Sequence, residues 1–91
     1  MYKRTTTIKN ATGLHARPAS DVIGAAGKFE SRIILRRLGG AEDEDANAKS
    51  IVNVLSLGLC QGEEVEIEAT GPDEKNAVDK LVDLIDSKFG E

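Results

Sequence analysis

The run Glu64-Val65-Glu66-Ile67-Glu68-Ala69-Thr70 alternates polar and apolar side chains without a break. In an extended strand successive side chains point to opposite faces. Val65, Ile67 and Ala69 therefore share one face and the three glutamates share the other. This pattern predicts an antiparallel sheet with one face on a core and the other open to water. Gly71-Pro72 ends the strand.

The rest of the chain has to supply partner strands and a cover for one face. Tyr2 to Ile8, with Thr5, Thr6, Thr7 and Ile8, reads as a strand, and Asn10 to Gly13 is turn chemistry. Arg32 to Leu38 reads as a second strand around Ile33, Ile34 and Leu35. Gly39-Gly40 turns the chain into the acidic loop Ala41-Glu42-Asp43-Glu44-Asp45, after which only a short strand fits, around Asp45 to Ala48.

Helical spacing appears three times. Ala19, Val22, Ile23, Ala26 and Phe29 place a helix from about Ala16 to Lys28. Ser50 to Gly58 reads as a short helix with Ser50 as its N-cap. Ala77, Val78, Leu81, Val82, Leu84, Ile85 and Phe89 form the buried stripe of a last helix from about Asp73 to Phe89. The order is strand, helix, strand, weak strand, helix, strand, helix. It fits an α+β, two-layer sandwich: one antiparallel sheet with its helices on one face. Length fits a single domain, residues 1–91, with no repeat or linker.

Composition narrows the function classes. Aromatics are 3% and Trp is absent, so the core is built from Ile, Leu, Val and Ala. So few rings give no stacking platform for single strands, and a net charge of −4 opposes nucleic-acid binding. The single cysteine, Cys60, suits a reducing cytosol and reads as a buried or half-buried structural thiol. The start of the chain has no apolar signal region, and no stretch is long enough for membrane insertion, so the expected location is cytoplasmic.

The chemistry concentrates in Gly13-Leu14-His15-Ala16-Arg17-Pro18. Proline is tolerated in a first helical turn, where an N–H has no intrahelical partner. Pro18 thus starts the helix close to His15, at or beside the N-cap. The free backbone N–H groups there, at Ala16 and Arg17, favour an anion, and the Arg17 guanidinium adds a permanent positive charge. A neutral imidazole in such a seat offers a ring nitrogen to phosphorus. A metal role does not follow from one histidine and one distant cysteine. A lone histidine near a helix start is nevertheless more often a cap or a surface residue than a nucleophile.

The segment Asn10-Ala11-Thr12-Gly13-Leu14-His15-Ala16-Arg17-Pro18-Ala19 closely resembles the active-centre signature of the HPr family. These are the histidine-containing phosphocarriers of the phosphoenolpyruvate:sugar phosphotransferase system. Lys49-Ser50-Ile51, followed by Ser56-Leu57-Gly58, resembles the regulatory serine segment of the Gram-positive type. Gly71 to Asp73 with the closing amphipathic helix is a third match, so the resemblance spans nearly the whole chain.

The resemblance implies an open-faced β-sandwich of four antiparallel strands and three helices. It implies that His15 accepts a phosphoryl group from Enzyme I, assisted by Arg17, and passes it to sugar-specific enzyme IIA domains. No cofactor is implied, and a monomer is expected. By the same resemblance Ser50 is a site for the HPr kinase/phosphorylase, with a catabolite-control transcription regulator as a further partner. The spacing from His15 to Ser50 is several residues longer than is usual in the family, and the extra material is the acidic run. Ile51, Val52 and Leu55, with Lys49 at the rim, are the expected docking residues, because Val52, Leu55 and Leu59 share a second apolar stripe beside that of Val54 and Leu57.

Three other functions meet this sequence differently. A purely regulatory HPr-like protein lacks the histidine, whereas His15 is present. A nitrogen-regulatory paralogue shares His15 and Arg17 and is not separated from the sugar type by these residues. An acyl carrier needs an all-helical setting, which the Glu64-to-Thr70 strand opposes.

Overall fold

The computed structural model describes residues 1–39 and 44–90. Four strands form one sheet: β1 (Tyr2–Thr7), β2 (Arg32–Arg37), β3 (Glu44–Asn47) and β4 (Glu64–Thr70). The helices are α1 (Ala16–Ala26), α2 (Ile51–Leu57) and α3 (Glu74–Asp86), followed by a 3-10 turn over Lys88–Gly90. The spatial order is β1-β4-β2-β3 and each neighbouring pair is antiparallel. This is the open-faced sandwich with three helices that the resemblance implies.

The register explains which face is covered. Val65, Ile67 and Ala69 of β4 pair with Thr6, Arg4 and Tyr2 on one side and with Arg37, Leu35 and Ile33 on the other. Cross-strand partners share a face. The inner face of the central strands is therefore fully buried at Ile33, Leu35, Val65, Ile67 and Ala69. Glu64, Glu66 and Glu68 line the open face beside Lys3, Thr5, Thr7 and Arg36. The helices add Ala19, Val22 and Ala26 from α1, Val54 and Leu57 from α2, and Ala77, Val78, Leu81, Val82 and Ile85 from α3. Among the described residues the buried hydrophobic core consists of Ile, Leu, Val and Ala, with Tyr2, Phe29 and Phe89 packed at its margin.

Edge strand β1 meets α3 through polar contacts. On its inner side Tyr2 and Arg4 reach Asp79 at 3.2 and 3.1 Å, and the Thr6 hydroxyl donates to Asp86. Lys9 joins Asp86 at 2.8 Å. These tie α3 to the edge strand, whose inner side offers the core little apolar surface beyond the Tyr2 ring.

Several boundaries differ from the sequence reading. The helix α1 stops at Ala26 and not Lys28: Gly27 still donates to the Ile23 carbonyl, but the N–H groups of Lys28 and Phe29 bond the Ala25 and Ala26 carbonyls in tighter three-residue turns. The last helix ends at Asp86, and Lys88 and Phe89 then take left-handed conformations that place Phe89 against the core. Glu44 and Asp45 belong to β3 and not to the acidic loop; residues 41–43 of that loop lie outside the described residues.

A carboxylate closes the far end of the sandwich. Asp73 sits at the start of α3 but does not cap it with its side chain. It accepts instead from the backbone N–H groups of Glu30 and Ser31, both at 2.9 Å, and from the Ser31 hydroxyl. The Ser31 oxygen in turn accepts from the Asp73 N–H at 3.2 Å. Hydrogen bonds from Ser31 and the Glu30 N–H hold the Asp73 carboxyl below its ordinary range. A depressed carboxyl contributes stability that is present above the ordinary carboxylate range and is lost as pH falls through the folded value. Thermal unfolding from pH 7 down to pH 2 should therefore show a shallower acid loss in Asp73→Asn than in the parent chain. Equal acid slopes would remove this clip from the account.

Candidate functional site

The histidine loop is held from below. Asn10 is 2% exposed, and its amide nitrogen donates to the Gly13 carbonyl at 2.8 Å and the Thr12 hydroxyl at 3.0 Å. The Gly13 N–H returns to the Asn10 carbonyl at 3.2 Å, closing a turn. Gly13 has φ 65°, and a Cβ there would collide with the Leu59 carbonyl oxygen. Only glycine fits both the conformation and the gap. Leu14 is fully buried, and its N–H donates to that same Leu59 carbonyl at 2.9 Å.

His15 follows as the N-cap of α1, with extended backbone (φ −120°, ψ 156°). Its imidazole is exposed and makes no capping hydrogen bond. The first-turn N–H groups of Ala16 and Arg17 have no intrahelical partner, and Pro18 has no N–H to satisfy. No acidic residue lies in the first turn of α1. Arg17 is exposed and has no ion pair among the described residues. A helix N-terminus with uncompensated positive potential is an anion seat, and here it carries a free imidazole.

Ser50 caps α2, its hydroxyl oxygen accepting from the Asn53 backbone N–H at 3.3 Å and the Asn53 side chain at 3.1 Å. The ammonium of Lys49 donates to the Phe29 carbonyl at 2.6 Å, past the end of α1. It thus braces α2 against α1 while remaining on the surface. Val54 and Leu57 face the core. Ile51, Val52 and Leu55 are 39, 67 and 42% exposed, and apart from Met1 they are the large hydrophobics exposed among the described residues.

Leu59 departs from the sequence reading, which put it on the outer stripe. Gly58 is left-handed at φ 62° and breaks the helical wheel, so Leu59 turns inward and is fully buried. Cys60 is then turned out. It is exposed, not buried, with its thiol 3.4 Å from the Gly58 carbonyl. Sequence reasoning also passed over Asn10 and Leu59 as supports of the histidine loop. The signal for the first is an Asn three residues before a Gly; for the second there is none.

Fold and site together define a small open-faced α+β domain that presents an exposed histidine at a helix N-terminus. The chain matches the family model described as "PTS HPr component phosphorylation site" over residues 2–87. It is 43% identical to phosphocarrier protein HPr of Cupriavidus necator over 91 residues, covering 100% of this chain and 98% of that one. It is 41% identical to phosphocarrier protein NPr of Proteus mirabilis over 90 residues, 99% and 96% of the two chains. The crystal structure of HPr-C-His from Thermoanaerobacter tengcongensis superposes with a TM-score of 0.91 at 48% identity, covering 100% of this chain and 98% of the other. The chain belongs to the HPr family, the phosphocarriers of the phosphotransferase system. Relatives named HPr and NPr both align along the whole length, so the match is made at the level of the family.

Gly13→Ala tests the support of the loop. The side chain meets both a left-handed φ and the Leu59 carbonyl, and such strain costs about 1–3 kcal/mol. Urea unfolding should show that loss. An unchanged midpoint would mean that the loop relaxes freely.

Proposed function

We propose that His15 is the phosphoryl acceptor and that Arg17 and the N–H groups of Ala16 and Arg17 hold the phosphoryl oxygens. The observation that supports this most is the exposed, uncapped imidazole at an N-terminus free of acidic residues. In the transfer a ring nitrogen forms a bond to phosphorus as the donor's bond to phosphorus breaks, and the second transfer repeats this with His15 as the leaving group. Little covalent work falls to the carrier, so its contribution is positioning and charge stabilisation.

The donor in this reading is Enzyme I and the acceptors are sugar-specific enzyme IIA domains, met by a cytoplasmic, monomeric carrier whose 91 residues act as one domain. Ile51, Val52 and Leu55 form the orienting contact, since a few exposed apolar groups at the centre of an interface supply most of its energy. Lys49 and Arg17 at the rim attract acidic partners. None of the described helices is long and apolar enough to cross a membrane.

The test is phosphorylation by phosphoenolpyruvate and Enzyme I. His15→Ala should take up no acid-labile phosphate. Arg17→Ala should slow transfer on the order of 100-fold, the usual cost of removing one stabilising donor, with its melting curve preserved. Leu55→Asp should raise KM while leaving kcat close to the parent value. Full labelling of His15→Ala would overturn the assignment of the acceptor.

Ser50 is proposed as the regulatory phosphorylation site of the Gram-positive type, acted on by HPr kinase/phosphorylase and read by a catabolite-control regulator. A phosphate there sits at the start of α2, where negative charge is favourable and the helix persists. Treatment with that kinase should place acid-stable phosphate on Ser50 and none on Ser50→Ala. Acid-stable label retained by Ser50→Ala would move the site elsewhere.

A further inference from the structure

Arg37 is the charged position on the inner face of β2, in line with the buried Ile33 and Leu35. A charge on a covered face is costly unless it is paired. The Arg37 guanidinium donates to the carbonyl of Leu57, one of the orphan carbonyls in the last turn of α2. Its Nε is buried without a hydrogen-bond partner and lies 3.5 Å from Glu63 Oε1, an ion-pair contact, while its Nη1 lies 3.7 Å from Glu44 Oε2 at the start of β3. The other oxygen of Glu63 accepts from the Cys60 N–H at 2.6 Å. One ion pair therefore grips both ends of the segment 57–60, at Leu57 through the arginine and at Cys60 through the glutamate.

Inside that grip lies the Leu59 carbonyl, which accepts the Leu14 N–H at 2.9 Å. Leu14 immediately precedes His15. Stability alone does not account for an ion pair in this place, because apolar side chains of similar volume fill such sites as well or better. What an ion pair with fixed hydrogen bonds adds is position.

We infer that Arg37 and Glu63 are positioning residues that hold the 57–60 segment, and through the Leu14–Leu59 hydrogen bond set the place of His15 for phosphoryl transfer. The inference rests on His15 being the acceptor. Neither residue touches the phosphoryl group in this scheme. Both act through backbone, and small displacements of a reacting group are costly to rate. Arg37 meets α2 at the Leu57 carbonyl in its last turn, and neither Arg37 nor Glu63 bonds Ile51, Val52 or Leu55 among the described contacts, so their effect is expected on the transfer step more than on docking.

The experiment uses the full chain and compares Arg37→Met, Glu63→Gln and the double variant. Arg36→Met is the control, since Arg36 pairs with Asp45 and Glu66 on the opposite face of the sheet. Two readouts are taken: hydrogen exchange of the Leu14 amide, and steady-state transfer from Enzyme I with phosphoenolpyruvate. Both single variants should raise Leu14 exchange about tenfold, as local opening of a loosened segment does. Both should lower kcat about tenfold at nearly constant KM, in keeping with lost positioning. The double variant should be no slower than the slower single, and Arg37→Lys should recover part of kcat. Arg36→Met should leave both readouts near the parent values.

Parent-like Leu14 exchange and kcat in Glu63→Gln overturn the inference. So does an equal loss in Arg36→Met, which marks general destabilisation. Glu63→Gln decides the matter if Arg37→Met does not fold. If the parent chain takes no label from Enzyme I, the phosphocarrier reading fails, and Leu14 exchange alone still decides whether the clamp exists.

Discussion

The hydrogen bond from the Leu14 N–H to the Leu59 carbonyl, 2.9 Å long, joins two segments that are far apart in the chain. Leu14 lies between β1 and α1, and Leu59 between α2 and β4. Both side chains are fully buried, so the bond is shielded from water on the core side. A buried N–H or C=O left unpaired costs more than the bond gains when made. Each segment therefore holds the other. Gly13 lets the backbones approach this closely, because any side chain there strikes the Leu59 carbonyl. The exposed imidazole one residue further on inherits its place from that buried contact.

Electrostatics set the first turn of α1 apart from the acidic remainder of the chain. Net charge is −4, yet much of the acidity is engaged internally. Asp79 and Asp86 on α3 bind Arg4 and Lys9 along the edge strand, and Lys9 followed by Thr6 holds the Asp86 carboxyl below its ordinary range. Asp45 and Glu66 hold Arg36 on the open face. The first turn of α1 carries no acid. A modest overall charge thus coexists with a local positive seat around Ala16 and Arg17, and it is the local field that an arriving anion meets.

Much of this was legible in the chain itself. The β4 strand was read at its true limits because one-sided burial imposes a period of two, and the glutamates marked the open face. The start of α1 was legible because Pro18 tolerates a first turn and little else in a helix. The inner face of β1 was not legible: Arg4 and Thr6 look like solvent residues until Asp79 and Asp86 are brought over them by α3. Leu59 was misplaced because helical spacing was carried through Gly58, whose left-handed conformation resets the direction of every following side chain. Asn10 read as a turn residue and proved to be a buried brace, since its partners are set by the turn's shape and not by neighbouring residue types. Local periodicity reveals faces; contacts between distant segments emerge only when the sheet order is known.

The shortest helix shows where stability and function part. Seven residues are too few for a helix to persist alone in water. Val54 and Leu57 anchor α2, and burying a side chain of that size contributes about 1.5–3 kcal/mol. Ser50 satisfies one end, Gly58 closes the other, and Arg37 takes the Leu57 carbonyl. With the helix secured by these contacts, Ile51, Val52 and Leu55 add nothing to the core, yet they remain apolar and outward. An apolar side chain kept in water gains free energy only when something covers it. The same segment that exposes them is joined, through Leu59, to the loop that carries His15. In the proposed reading, a partner seated on α2 would be referenced to the imidazole through backbone contacts rather than through flexible side chains, which is the condition an in-line transfer places on its carrier.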